Sequence, residues 1–90
     1  MVLTEVLTLS ISNSWDEWVK AFDSPETCQL HDRYGVQVLF RGVSPDDPTR
    51  VVVVVQAPEG AREKFLMENR DYVEANGAVM DSVRGSVWVG

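Results

Sequence analysis

Between Leu3 and Ile11 the chain alternates. Leu3, Glu5, Leu7, Leu9 and Ile11 share one side of an extended backbone, and Thr4, Val6, Thr8 and Ser10 share the other. That period of two predicts a strand. At Trp15 the period changes. Trp15, Trp18, Val19 and Phe22 stand at i, i+3, i+4 and i+7, the stripe of a core-facing helix. Ser14 and Glu17 fit a capping box at its start. Pro25 then interrupts, because it has no amide to donate and disfavours helical geometry at Ser24. Ser24 followed by Pro25 is also a good N-cap and N1 pair. A second helical piece is therefore expected from Pro25 to about Tyr34, stopped by Gly35.

Val36 to Val43 reads as the second strand, with Val36, Val38 and Phe40 on one face and Gln37, Leu39 and Arg41 on the other. Ser44 to Thr49 is a turn by composition. Val51 to Gln56 is the third strand, joined to the second as a hairpin. Ala57-Pro58-Glu59-Gly60 opens the second main helix, with Pro58 near N1. Ala61, Phe65, Tyr72 and Val73 form its buried stripe, and Asn76-Gly77 ends it. Val79, Val83, Val87 and Val89 mark the fourth strand. Asp81 and Gly85 interrupt its apolar face, where a bulge or bend is expected.

The order is βαββαβ. Right-handed crossovers place both helices on one face of a four-stranded antiparallel sheet, with the first and third strands central. This is the ferredoxin-like α+β arrangement. Its third strand holds five consecutive valines, Val51 to Val55, which cannot alternate between core and water. Val51, Val53 and Val55 point one way, and Val52 and Val54 the other. On the uncovered face, valine stands where polar residues belong, and Val6, Leu39, Met80 and Trp88 are expected to join it. Three or four such side chains, at ~1.5–3 kcal/mol each on full burial, favour pairing of two chains through the sheet. The expectation is a homodimer, with Val53 as the position that probes its interface.

Composition narrows the partners. Ninety residues make a single domain, residues 1–90, which as a monomer buries roughly 60–65% of its unfolded surface. The formal net charge of −6 disfavours nucleic acid and anionic membrane surfaces. No apolar run approaches the ~20 residues of a membrane span. The first ten residues carry Glu5 and no basic region, unlike a signal peptide. One cysteine, Cys28, leaves no internal disulfide, which points to a reducing cytoplasm.

Chemistry-bearing residues are few. His31 is the only histidine, so neither a histidine-pair metal site nor a serine triad can be assembled around it. It shares a helical side with Cys28 and Tyr34. In a pocket between helix and sheet, His31 with Tyr34 can handle a proton or orient a ligand. The competing reading is a surface or internally satisfied histidine near a helix C-terminus, favoured there by the dipole. Cys28 and His31 do not complete a tetrahedral metal set, and nearby Asp23, Glu26 and Asp32 oppose a thiolate. Asp46-Asp47 lacks the spacing of a calcium loop. No metal and no cofactor is expected. Trp15, Trp18, Tyr34, Phe65 and Tyr72 are candidates to line an apolar ligand pocket, although core packing explains the same spacing. Arg41 and Arg84 are expected to pair with Asp81 or Glu5 across the sheet.

The order of elements and the doubly apolar sheet resemble the dimeric α+β barrel superfamily, in which two ferredoxin-like subunits pack sheet to sheet. Trp15 to Asp23, Tyr34-Gly35, Phe40 to Pro48 and Gln56 to Gly60 resemble, more closely, a family of small uncharacterised proteins of about this length. The superfamily includes cofactor-independent monooxygenases, haem-degrading enzymes, small isomerases and stress-responsive proteins, so the resemblance implies a fold more than a function. The expected function is a non-enzymatic module that binds a small apolar ligand or a partner. The alternative is a cofactor-independent monooxygenase or isomerase acting on a small hydrophobic substrate between sheet and helices.

Overall fold

A computed structural model describes residues 1–90. The first strand, β1 (Val2–Ile11), keeps the alternation of its sequence: Glu5, Leu7, Leu9 and Ile11 are buried and the intervening residues are half-exposed. Helix α1 (Trp15–Phe22) begins at Ser14. The Glu17 amide donates to the Ser14 hydroxyl at 3.1 Å, and that hydroxyl donates to the Glu17 carboxylate. Helix α2 (Pro25–Arg33) follows with Ser24 as its N-cap and Pro25 at its first position. Two strands come next, β2 (Gln37–Val43) and β3 (Arg50–Pro58). After α3 (Ala61–Glu68) and α4 (Arg70–Ala75), β4 (Ala78–Trp88) ends the fold.

The strands form one antiparallel sheet in the order β2-β3-β1-β4, with β1 and β3 central. The architecture is the ferredoxin-like α+β fold. Val51, Val53, Val55 and Ala57 of β3 turn inward and meet Leu7, Leu9, Ile11 and Trp18 in one core. Val52 and Val54 face the other way and stay half-exposed. Only 15 of the 90 residues are buried. One sheet face thus carries nearly all the interior of the chain. No helix is long and apolar enough to cross a membrane.

Several local expectations are corrected. Val53 is a core residue beneath the helices, so Val54 takes its place as the probe of the opposite face. In β2 a register shift at Leu39 sets Val38 opposite Val55 but Phe40 opposite Val54. The extra residue flips everything after it, so Phe40 lies on the uncovered face and Arg41 on the helix side. There the Arg41 guanidinium makes a two-pronged contact with Asp23, not with a strand carboxylate. Arg84 donates to the carbonyls of Asp81 and Val83. Pro58 ends β3 opposite Val2 instead of opening a helix.

The second main helix is two helices, broken at Asn69 (φ −122°, ψ 25°). The Asn69 amide nitrogen donates to the Phe65 carbonyl and to the Tyr34 hydroxyl. This side-chain competition for backbone groups is a known helix interrupter. The irregularity expected near Asp81 and Gly85 is present. Between Thr8 and Ser10, β4 runs from Arg84 to Val79 out of register, and the Ser82 hydroxyl takes the Ser10 amide at 2.7 Å. The detour sends Met80 towards the helices rather than the uncovered face.

Gly77 closes α4 at φ +109°, and a Cβ there would sit 2.2–2.6 Å from the Asn13 amide. Its carbonyl accepts the Ser12 amide at 2.7 Å, locking the β1–α1 turn to the start of β4. Gly77→Ala is therefore expected to lower stability by at least ~1–2 kcal/mol from backbone strain alone, with the Asn13 clash added. Urea denaturation followed by circular dichroism measures this, and an unchanged midpoint would contradict the packing described.

Candidate functional site

Between the helices and the sheet lies a cavity of about 100 Å³, lined by 18 residues of which 14 are hydrophobic. Its floor is the inner face of the sheet, including Leu7, Leu9, Val53 and Val55. Trp18, Phe22, Phe65, Tyr72 and Val73 contribute walls, and Met80 and Val83 close it from β4. A volume of ~10–15 Å³ accommodates one water, and a 150 Å³ apolar cavity accommodates benzene. At about two-thirds of that benzene-holding volume, the space takes at most one small ring and no polycycle.

His31 forms part of this wall. It is 8% exposed, which excludes the surface-histidine reading. The end of α2 fixes its backbone. The Val36 amide reaches back to the His31 carbonyl at 2.9 Å and the Gly35 amide to the Asp32 carbonyl at 3.1 Å, with Gly35 at φ +71°. This is a Schellman closure, and glycine supplies the left-handed residue it needs. The imidazole lies between Phe22 and Phe65, with ring centroids 5.3 and 5.1 Å away. It also borders an outer groove formed with Cys28, Asp32, Gly35, Gln37 and Val38. Removal from water lowers its pKa below the usual histidine value, against a smaller opposing pull from Asp32. The ring is consequently neutral at pH 7.

The other polar walls are engaged. Thr27 donates to the Ala21 carbonyl at 2.7 Å, and its oxygen lies 2.8 Å from the Tyr72 hydroxyl. With the threonine proton committed to Ala21, Tyr72 is the donor in that pair. Arg62 of α3 donates twice to one oxygen of Glu5, at 3.1 and 3.0 Å. Glu5 is 5% exposed on the inner face of β1, so this ion pair seals one side of the cavity. Its sequence signal was a carboxylate in an otherwise apolar stripe; the partner, 57 residues away, had no local signal.

The candidate residues divide. His31, Trp18, Phe65 and Tyr72 meet at the cavity. Trp15 does not reach it but stacks on Trp18 at 5.6 Å. Tyr34 does not reach it either. It packs edge-on against Phe65, and its hydroxyl donates to Glu68 at 2.6 Å. That bond raises the Tyr34 pKa, against a smaller lowering from Asn69. The His31–Tyr34 proton-handling pair is therefore not assembled at the cavity. Cys28 is exposed and unpaired, and no group of three or more His, Cys, Asp or Glu is placed to hold a metal ion.

Solved structures with this architecture include oxygenases. The chain is similar to SnoaB, a cofactor-independent oxygenase from Streptomyces nogalater, at 12% identity and a TM-score of 0.65 over 99% of this chain and 92% of that one. It is similar to a Streptomyces coelicolor monooxygenase in complex with nanaomycin D, at 15% identity and 0.68 over 98% and 86%. A NIPSNAP-like domain protein from Burkholderia xenovorans matches at 14% identity and 0.67 over 99% and 84%. At these identities the likeness establishes the fold alone, the ferredoxin-like α+β architecture. No curated protein matches the chain in sequence. The family model for the domain of unknown function DUF3764 matches residues 2–90, nearly the whole length, and the chain belongs to that family.

Proposed function

We propose that the protein is a cytoplasmic homodimeric module that binds a small apolar molecule between sheet and helices, without performing catalysis. The cavity carries this reading. It is apolar, sized for one ring, and walled by Trp18, His31, Phe65 and Tyr72. A second reading, a cofactor-independent monooxygenase or isomerase, is favoured by the neutral His31 at the wall and by the oxygenase neighbours. It is weakened by the position of Tyr34, which is bonded to Glu68 away from the cavity. Oxygen uptake or isomerisation with single-ring substrates, lost in His31→Leu, would move the assignment to that reading.

The proposed dimer uses the uncovered sheet face. Phe40, Val54 and Val6 form a row across β2, β3 and β1. Phe40 and Trp88 are 58% and 60% exposed. Thr4, Thr8 and Gln56 interleave with these residues, so the face is mixed, with its apolar groups at the centre.

Three outcomes are expected. Saturating toluene raises the unfolding temperature, since a ligand at 100 times its dissociation constant adds ~2.7 kcal/mol. Ala78→Leu, which fills the cavity from β4, removes that shift, and a wild-type protein indifferent to small aromatics would sink the cavity reading. Val54→Asp converts a dimer to a folded monomer in sedimentation at micromolar concentration, because a charge desolvated without a partner is strongly unfavourable. A Val54→Asp protein that stays dimeric would refute the interface.

The third outcome concerns pH. The His31 pKa is lower in the folded chain than in the unfolded one, so the unfolded chain binds more protons. Stability is fully present above about 6.5 and is lost as pH falls through that value towards the folded pKa. The Asp23 carboxyl, lowered chiefly by its Arg41 hydrogen bond, acts in the same sense but only at more acidic pH, near and below the ordinary carboxylate range, outside this window. Urea midpoints at pH 7.5 and 5.5 should therefore diverge in the wild type and converge in His31→Leu.

A further inference from the structure

We infer that His31 is the polar partner of the cavity's occupant, and that the occupant is an uncharged single-ring molecule carrying a hydroxyl, of the phenol class. This inference rests on the ligand-binding reading above. The polar groups at the cavity come from Thr27, His31, Arg62 and Asn76 and from the hydroxyl of the otherwise apolar Tyr72. Thr27 and Tyr72 are bonded to each other, and Thr27 also to the Ala21 carbonyl. Arg62 spends two donors on Glu5. Asn76 sits at the α4 terminus, where its backbone carbonyl rather than its side chain is engaged, accepting from the Asn13 side chain.

His31 and the Asn76 side chain remain, and of the two it is His31 that stands among the aromatic rings of the wall, between Phe22 and Phe65. Its ring nitrogens have no protein partner. They are not sealed either, since Asn13 Oδ1 is the one fully enclosed side-chain polar atom left without a bond. The residue borders two spaces, the cavity and the outer groove. Phe22 and Phe65 hold the ring from two sides, so little orientation is lost on binding.

The charge of the occupant follows from the same walls. A neutral imidazole offers one donor and one acceptor nitrogen, which suits a hydroxyl that can give or take. A carboxylate would find no free cation. Arg62 is already matched by Glu5, Asp32 adjoins His31 in the groove, and the chain carries a net charge of −6. The volume of about 100 Å³ limits the occupant to one ring.

Calorimetric titration with phenol, toluene and benzoate separates the possibilities. The phenol-to-toluene affinity ratio should fall roughly three- to tenfold in His31→Leu, the range of one neutral hydrogen bond in competition with water, and return in His31→Gln. Benzoate should show no binding at concentrations that saturate with phenol. An unchanged ratio in His31→Leu, or benzoate binding as tightly as phenol, overturns the inference while leaving the cavity reading intact. Failure of both phenol and toluene to bind the wild type overturns both. Circular dichroism checks each variant's fold. If leucine at this position unfolds the chain, His31→Phe carries the same comparison.

Discussion

The central strand β3 must bury two faces with one chain, and the rest of the structure follows from that constraint. Its hydrogen bonds are taken by β1 and β2 on either side. Its odd-numbered valines lie under the helices, where Leu7, Leu9, Ile11 and Trp18 complete the core. The helices lie on a single face, so Val52 and Val54 are left half-exposed. With 15 residues buried, the isolated chain holds a thin interior. Apolar burial is the dominant favourable term in folding, so covering the second face would add stability the first cannot supply.

The covered face is not filled either. The helices are held apart from the sheet by large rings rather than packed down by small residues. Trp15, Trp18, Phe22, His31, Phe65 and Tyr34 form a nearly continuous aromatic series, with neighbouring centroids 4.8 to 5.6 Å apart. Rigid rings do not collapse into irregular space as methionine does. The gap they leave persists as a cavity, and the hydrogen bonds of Thr27 with Tyr72 and of Arg62 with Glu5 brace its margins.

Much of the fold was legible because hydrophobic period and helix punctuation agree. The valine run, the Ser14 and Ser24 caps and the Gly35 stop each act locally, and each stands where the sequence placed it. Non-local effects were not legible. The bulge at Leu39 inverts Phe40 and Arg41, yet nothing in Val36 to Val43 breaks the period. Asn69 breaks a helix where the hydroxyl of Tyr34, 35 residues earlier, accepts from its side-chain amide. At the candidate site, the periodic stripes pointed to Trp18, Phe65 and Tyr72, which line the cavity. His31 was found because it is the only histidine. Tyr34 shares its helical side but was drawn off by Glu68, an interaction that spacing along one helix cannot reveal.

The two irregular stretches of the sheet share a location. The bulge at Leu39 lies on β2, and the long register shift from Arg84 to Val79 lies on β4. These are the outermost strands. A sheet border with a long, regular row of unpaired amides and carbonyls invites another chain to add a strand, and the outcome of repeated addition is a fibre. Here each border is kinked before such a row can form, and on β4 the Ser82 and Arg84 side chains occupy some of the groups a newcomer would need. Growth sideways is obstructed at both ends. What remains open and apolar is the flat of the sheet, and in the proposed dimer two chains would close it and leave no free surface to propagate.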